Sequence, residues 1–374
     1  MFAGGPAVGP LAGLTVTMKI RIRPSFFVEA DDAKPYPLDK ALCLLREIDN
    51  TGNLRAACAA VSVSYRSAWD LLSELEKILG GSVVDMTRGK GSSLTDLGKR
   101  LVWAEKLTHA RFDPLLNSMG MEIDSEIQGA LHRVQRYLKI YASHGFAVAA
   151  LNAHLEQVGA PVELSYRGSV EALRALHRGA CDIAGFHVPV GDLEASVFAQ
   201  FSDLFKPTDV IINVATRRQG LMVPKGNPKN IWAMQDLLGP DVVIVNRQPG
   251  SGTRVILDLM LKQLGKSGQG IAGFESVELT HAAVAAYVAS GKADVGLGVE
   301  TAARQFDLDF VPILTERYFF LCARATLDDP RFEEVLAFLK NARFQAEVSK
   351  LPGYDASAMG SVMDIQQAFP KLMG

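Results

Sequence analysis

From residue 136 onward the chain alternates between two periodicities. Apolar, β-branched runs at 137–143, 162–169, 182–188, 242–247 and 294–299 are separated by stretches of helical period at 145–158, 170–177, 253–264 and 281–290. A strand followed by a helix of that length returns beside its predecessor in the same direction, so the order implies parallel sheets with helices on their faces. Further strands are predicted at 210–217, 219–226, 276–279, 310–313 and 318–324, and helices at 231–238, 333–340 and 344–351. The chain crosses to a second α/β unit near residue 218 and returns near 315. Two lobes follow, one from about 136–217 and 315–374, the other from about 218–314.

Ahead of residue 123 the texture differs. In 64–79, SYRSAWDLLSELEKIL, helical spacing puts Ala68, Leu71, Leu72, Leu75, Ile78 and Leu79 on one apolar stripe. Ser64, Tyr65, Arg66 and Ser67 open the other face. Ser62 or Ser64 supplies an N-cap, and Gly80-Gly81 ends the helix. A short Ala-rich helix begins after Asn53 and a tight polar turn follows it, giving a helix-turn-helix. Residues 83–95 read as two short strands around a tip holding Arg88 and Lys90, a wing. A helix over 38–49 turns Leu42, Leu45 and Ile48 inward, and 18–29 reads as a strand packed on this unit. Trp69 reads as core. Residues 97–119 read as a long helix broken near Pro114, residues 123–135 as a linker, and residues 1–17 as a flexible tail. A helix start rich in hydroxyls with one guanidinium suits the major groove of DNA. Candidate DNA contacts are therefore Asn53, Ser62, Ser64, Tyr65, Arg66, Ser67, Arg88 and Lys90. Taken singly, the helix at 64–79 reads equally as an ordinary amphipathic core helix.

GNLRAACAAVSVSYRSAWDLLSELEKIL, the wing and Leu94-Thr-Asp-Leu-Gly98 together resemble the N-terminal domain of ModE-type molybdate-responsive regulators, winged-helix relatives of the LysR class. The resemblance covers roughly residues 36–120. It implies binding to a double-stranded DNA operator by a homodimer or higher homo-oligomer paired through the long helix. GACDIAGFH, TRRQGLMVPKGNP, VNRQPGSGTR, THAAVAAYVASGKADVGLG and LPGYD, over roughly 130–360, resemble the periplasmic-binding-protein-like domain of molybdate-type binding proteins and cytosolic regulators. That resemblance implies a two-lobed type II fold closing on a small, usually anionic ligand. The small β-barrel molybdate domains of ModE have no counterpart here, so the ligand is not carried over residue by residue. Molybdate, tungstate, a molybdenum-cofactor fragment and a carboxylate all suit the chemistry.

In such folds the ligand sits beyond the carboxyl ends of the strands, facing helix N-termini with free N–H groups and partial positive charge. Four loops fit: Ser143-His144-Gly145, Gly168-Ser169, 246–254 and Thr280-His281. Candidate ligand-binding residues are Ser143, His144, Gly168, Ser169, His187, Asn246, Arg247, Gly250, Ser251, Gly252, Thr253, Arg254 and His281. Alternatives stay open: Gly250 to Thr253 as a plain turn and N-cap, Arg254 as a solvated helix residue, Glu300 as a lobe–lobe contact. No Gly-Lys-Ser/Thr follows the glycines, so this is not a Walker A loop. The histidines fall in separate loops, and no metal site is expected.

Composition bounds the rest. The 374 residues, 48% hydrophobic and 21% charged, describe an ordinary globular protein of two or three domains. A net charge of −2 argues against non-specific coating of nucleic acid. Cys43, Cys58, Cys181 and Cys322 have no CxxC spacing and read as reduced core residues of a cytoplasmic protein. No run of about eighteen apolar residues marks a membrane span. The first residues lack the basic start of a secretory signal, and Met18 is a second candidate start. No nucleophile–base–orienter set points to an enzyme, and no cofactor is expected beyond a bound oxyanion effector. The expected function is a ligand-responsive DNA-binding regulator. The alternative is a cytosolic oxyanion carrier or store without sequence-specific DNA binding.

Overall fold

A computed structural model describes residues 20–29, 34–87, 91–130 and 137–370. Of the strand expected over 18–29, only β1 (Phe27–Val28) forms, paired antiparallel with β2 (Tyr36–Pro37). The alternating residues before it meet no sheet edge, and Arg21 instead reaches Glu156 at 2.8 Å.

Three helices follow: α1 (Asp39–Thr51), α2 (Leu54–Ala60) and α3 (Tyr65–Leu79). The Asn53 side chain accepts from the Arg55 and Ala56 amides and so caps α2. Ser64 caps α3 by accepting from Ser67 N at 3.0 Å. Ser62 makes no cap and stands in the turn with φ 55°. Leu42, Leu45 and Ile48 of α1 share a buried core with Ala68, Leu72 and Leu75 of α3. Two expectations fail on the flanks of that stripe. Ile78 is 36% exposed and Trp69 is 41% exposed, Trp69 lying edge-on against Tyr65. The hairpin β3 (Val84–Thr87) and β4 (Gly91–Leu94) is antiparallel. Arg88 and Lys90 lie outside the described residues.

Helix α4 (Asp96–Ala130) has 35 residues, about 50 Å of length at 1.5 Å per residue. Its start seats tightly on the hairpin: a Cβ at Gly98 would lie 2.1 Å from Val83 O. The helix passes through Pro114 without breaking and takes in 123–130, which had read as linker. Pro114 has no N–H for the carbonyl four residues back. That carbonyl, Ala110 O, accepts the Thr280 hydroxyl at 2.7 Å instead.

The remaining chain runs β5 (Leu138–Ala142), α5 (Phe146–Val158), β6 (Val162–Tyr166), α6 (Ser169–His177), β7 (Ile183–Pro189), α7 (Glu194–Phe198) and β8 (Asp209–Val223). It continues through β9 (Ile244–Arg247), α8 (Gly252–Gln263), β10 (Val277–Glu278), α9 (His281–Ala289), β11 (Val295–Val299), α10 (Glu300–Gln305) and β12 (Asp309–Ala323). Last come α11 (Pro330–Leu339), α12 (Ala342–Ser349), β13 (Tyr354–Asp355), β14 (Val362–Asp364) and α13 (Ile365–Ala368). Where two sheets were expected, one 10-stranded sheet forms in the order β10-β9-β11-β8-β12-β7-β5-β6, with β13 and β14 paired to β8. The cause is that β8 and β12, each 15 residues long, run unbroken and antiparallel through both lobes. The helix expected over 231–238 shrinks to a 3₁₀ turn at Met234–Leu238, closed by Gly239-Pro240.

Each lobe buries a core on both faces of the sheet. Leu138, Ile140, Leu164 and Phe320 serve one face of the first lobe, and Phe186, Phe201, Phe319 and Phe369 the other. Cys58, Cys181 and Cys322 are buried and unpaired, whereas Cys43 is only half-buried. Burial pushes the Cys181 and Cys322 thiols up to about 12, so neither is nucleophilic. No helix among the described residues is long and apolar enough to cross a membrane.

Candidate functional site

A cavity of about 720 Å³ lies where the two lobes and α4 meet. Four helix N-termini open onto it, two from each lobe. Ser143 and His144 precede α5, and Gly168 is the N-cap of α6. Ser251 caps α8 by accepting from Arg254 N at 3.2 Å, and Gly250 holds the loop before it at φ 83°. Thr280 caps α9 by accepting from Ala283 N at 2.9 Å. Unpaired N–H groups and aligned peptide dipoles at such ends favour negative charge.

Two guanidiniums stand in the wall. Arg217, in the middle of β8, donates from Nε to Glu316 Oε2 at 2.9 Å. Glu316 is its direct cross-strand partner on β12. Gln219 donates to the same oxygen at 2.5 Å and to Thr253 Oγ1 at 3.3 Å. Arg247, at the end of β9, donates to Leu279 O at 2.9 Å and to Gln248 Oε1 at 3.1 Å. Arg247 is 7% exposed and has no carboxylate partner among the described residues. Burial pulls its pKa down to about 9; the neighbouring Arg217 adds to the shift and Glu316 opposes it, so it stays charged at neutral pH. Burial also opposes the charge on Arg217, but Glu316 and Tyr354 outweigh it and its pKa is raised. Among the described residues the wall therefore carries two buried cations, Arg217 and Arg247, with the buried carboxylate of Glu316 behind Arg217.

Three histidines complete the inner end. His187 exchanges a hydrogen bond with Ser143 Oγ at 3.0 Å and stacks on Tyr318 with centroids 4.1 Å apart. His144 packs its edge against Tyr166. His281 is 3% exposed, and its Nδ1 has no partner among the described residues. Burial, followed by the charges of Arg247 and Arg217, lowers His144 to about 4. Burial and the same two arginines hold His187 and His281 well below the ordinary imidazole value. All three are neutral near pH 7. No group of three or more His, Cys, Asp or Glu among the described residues is arranged to hold a metal ion.

Of the residues singled out in the sequence, Ser143, His144, Gly168, His187, Arg247, Gly250, Ser251, Gly252, Thr253 and His281 meet at this cavity. Ser169, Asn246 and Arg254 do not line it. Ser169 Oγ accepts from His187 N, and the Asn246 amide donates to Phe274 O. Arg254 turns along its helix to Asp258 and lies over the Phe274 ring. Glu300 is 6% exposed and pairs with Arg218 and Arg304, with Gly353 of the other lobe packed beside it. Sequence reasoning missed Arg217 and Tyr166. The signal for Arg217 was the polar run Thr216-Arg-Arg-Gln219 inside an otherwise apolar strand.

Helix α4 also supplies wall residues, Arg111, Pro114, Leu115 and Ser118. It is tied to both lobes. Arg111 forms a two-pronged pair with Glu278, and Lys106 donates to Gln305 O at 2.7 Å. On the other lobe Ser118 Oγ accepts from Tyr166 N at 3.2 Å, and Arg167 pairs with Glu122 at 2.6 Å. Toward its start, Glu105 pairs with Arg46 of α1 at 3.1 Å. In the first domain, Ser64, Tyr65, Arg66 and Ser67 are all exposed at the start of α3.

The model of the PBP superfamily domain matches residues 148–340. An uncharacterized protein of Bacillus subtilis (strain 168), YvgK, is 34% identical over 217 residues, 57% of this chain and 69% of that protein. The molybdenum transport protein ModE of Azotobacter vinelandii is 25% identical over 104 residues, 27% of this chain and 38% of ModE. Among solved structures, Corynebacterium glutamicum OxyR aligns with a TM-score of 0.39 at 13% identity, over 83% of this chain and 95% of that one. The family model spans more than half of the 374 residues, and the chain belongs to the PBP superfamily.

Proposed function

We propose that the protein is a one-component transcriptional regulator. In this reading α2, α3 and the hairpin form a winged helix-turn-helix that binds operator DNA, and the two-lobed domain binds a small anion. It acts as a sensor and carries out no catalysis. The observation that carries the reading is Arg247, a buried cation with no carboxylate partner among the described residues, facing a cavity that one long helix shares with the first domain. A buried unpaired charge costs several kcal/mol in real proteins, and a bound anion relieves that cost. Sequence similarity to ModE supports regulation and favours molybdate or tungstate as the first effectors to try.

Effector binding changes DNA affinity only through unequal affinity for two states. In this reading the lobes move relative to each other, and α4 holds one contact set on each. Lobe closure then shifts α4, whose start is fixed to α1 and the hairpin. Phe112, Met119 and Ile123 form an exposed apolar stripe along α4, each 39–45% exposed. A second copy of the chain covers that stripe in this reading, giving a homodimer that reads paired half-sites. An operator implies the cytoplasm.

The test starts by selecting DNA that binds the full chain from a random pool. Arg66→Ala is then expected to weaken binding to the selected site at least tenfold in a gel shift, with molybdate affinity unchanged. Failure to enrich any DNA sequence, beside tight anion binding, would overturn the regulator reading.

A further inference from the structure

The cavity is much longer than a bare oxyanion. Its inner end holds Arg217, Arg247 and the helix N-termini, but its lining continues outward along one face of α6. Val170, Arg174 and Arg178 follow one another at spacings of four on that face. From the start of α6 to Arg178 is about 13 Å of helix rise. Arg174 and Arg178 are exposed and have no carboxylate partner among the described residues. The lining also offers apolar and aromatic surface, Leu115, Tyr166, Val170 and Leu279, beside Arg167 and Glu171, which pair with each other at 3.5 Å. The volume of about 720 Å³ lies within the range of about 300–1,000 Å³ that suits drug-sized organic ligands. A single central atom with its oxygens occupies only the inner end.

We propose that the effector is an elongated organic anion with two charged ends. An oxyanion head, phosphate or a similar group, sits at Arg217 and Arg247. A flat apolar body lies between Tyr166 and Leu115, and a second anionic group reaches Arg174 and Arg178. This rests on the anion-sensor reading above and adds ligand length and a second charge to it. The body of such a ligand touches α4 itself, through Leu115.

A graded probe series separates the two ideas. Calorimetry on the full chain would compare inorganic phosphate, phenyl phosphate and 4′-carboxybiphenyl-4-yl phosphate, with molybdate alongside. Affinity is expected to rise at least tenfold for the ring system and again at least fivefold for the distal carboxylate. Arg174→Gln with Arg178→Gln should erase only the last gain, and Arg247→Ala should weaken every probe. Equal affinity for phosphate, molybdate and the long probe, or a long probe indifferent to the double substitution, would overturn the two-ended ligand and leave the anion sensor standing. No binding of any probe, with Arg247→Ala silent, would overturn the sensor reading and this proposal with it.

Discussion

Arg247 sets the chemistry of the cleft because no carboxylate among the described residues pairs with it, and the buried Glu316 nearby is held by Arg217. Its guanidinium spends donors on a backbone carbonyl and an amide oxygen, neither of which neutralises it. Arg247→Ala is expected to lower anion affinity by roughly 10–100-fold, the worth of one or two charged hydrogen bonds. The same change should leave the melting temperature of the unliganded protein undiminished, since it removes an uncompensated charge. Calorimetry and a thermal scan read the two effects separately, and a large loss of stability without loss of affinity would contradict the assignment. The histidines make a second prediction. His144 has a folded value of about 4 against an ordinary 6.5, so between those values the unfolded chain binds more protons. Stability is therefore full above about pH 6.5 and is lost as pH falls toward 4, with His187 and His281 acting in the same direction. The His144 contribution by itself is on the order of 3 kcal/mol. Urea midpoints between pH 7 and pH 4 measure the loss, and a saturating anion should reduce it by offsetting the arginine charge. A flat profile would mean that the imidazoles are not held neutral by their surroundings.

At the scale of elements, the informative discrepancy is α4. A proline near its middle reads as a helix end, because it costs about 3 kcal/mol in a helix interior. Here the carbonyl it frees is used: Thr280, which caps α9, donates to Ala110 O. Helix and lobe thus share one hydrogen bond. Thr280→Val should cost about 1–2 kcal/mol in the natural chain, since it removes a cap bond and orphans that carbonyl. In a Pro114→Ala background the restored amide takes the carbonyl, and the cost should drop by about 1 kcal/mol. Additive losses in a denaturant double-mutant cycle would show that the two groups are independent. The strands β8 and β12 carry the same lesson. Each reads as two short strands because Arg217-Arg218-Gln219 and Thr315-Glu316-Arg317 interrupt an apolar run. These polar segments lie opposite each other in register, where the chain passes between lobes and the cavity opens. What looks like a break in sequence is the polar seam of a continuous strand, where it passes between the lobes.

At the scale of the molecule, α4 is the member that feels both lobes and the first domain. Its grip on the second lobe includes the Arg111 pair with Glu278, a carboxylate that is 7% exposed and outside the cavity lining. Glu278→Gln is expected to keep effector affinity within about threefold while reducing the effector-induced change in operator affinity at least fivefold. Gel shifts on a selected operator, with and without saturating effector, provide the check. An unaltered response would remove this contact from the coupling. Reciprocity requires that DNA lower or raise effector affinity by the same factor as effector alters DNA affinity.

Local rules were enough for much of this architecture. Hydrophobic period, the cap at Ser64 and the alternation of strand and helix belong to neighbours in the chain, and they are legible there, whereas Asn53, read as a DNA contact, spends its side-chain oxygen on capping α2. The loops bearing Ser143, His144, Gly168, Gly250 to Thr253 and His281 were recognisable for the same reason, as short polar stretches before helices. The tertiary structure alone decided which charges meet. Arg217 finds Glu316 99 residues away, Arg247 is left without a carboxylate partner among the described residues, and α4 closes the cleft. Those outcomes depend on the register of two long strands and on one helix crossing both lobes. They are contacts between distant segments, for which spacing along the chain carries no signal.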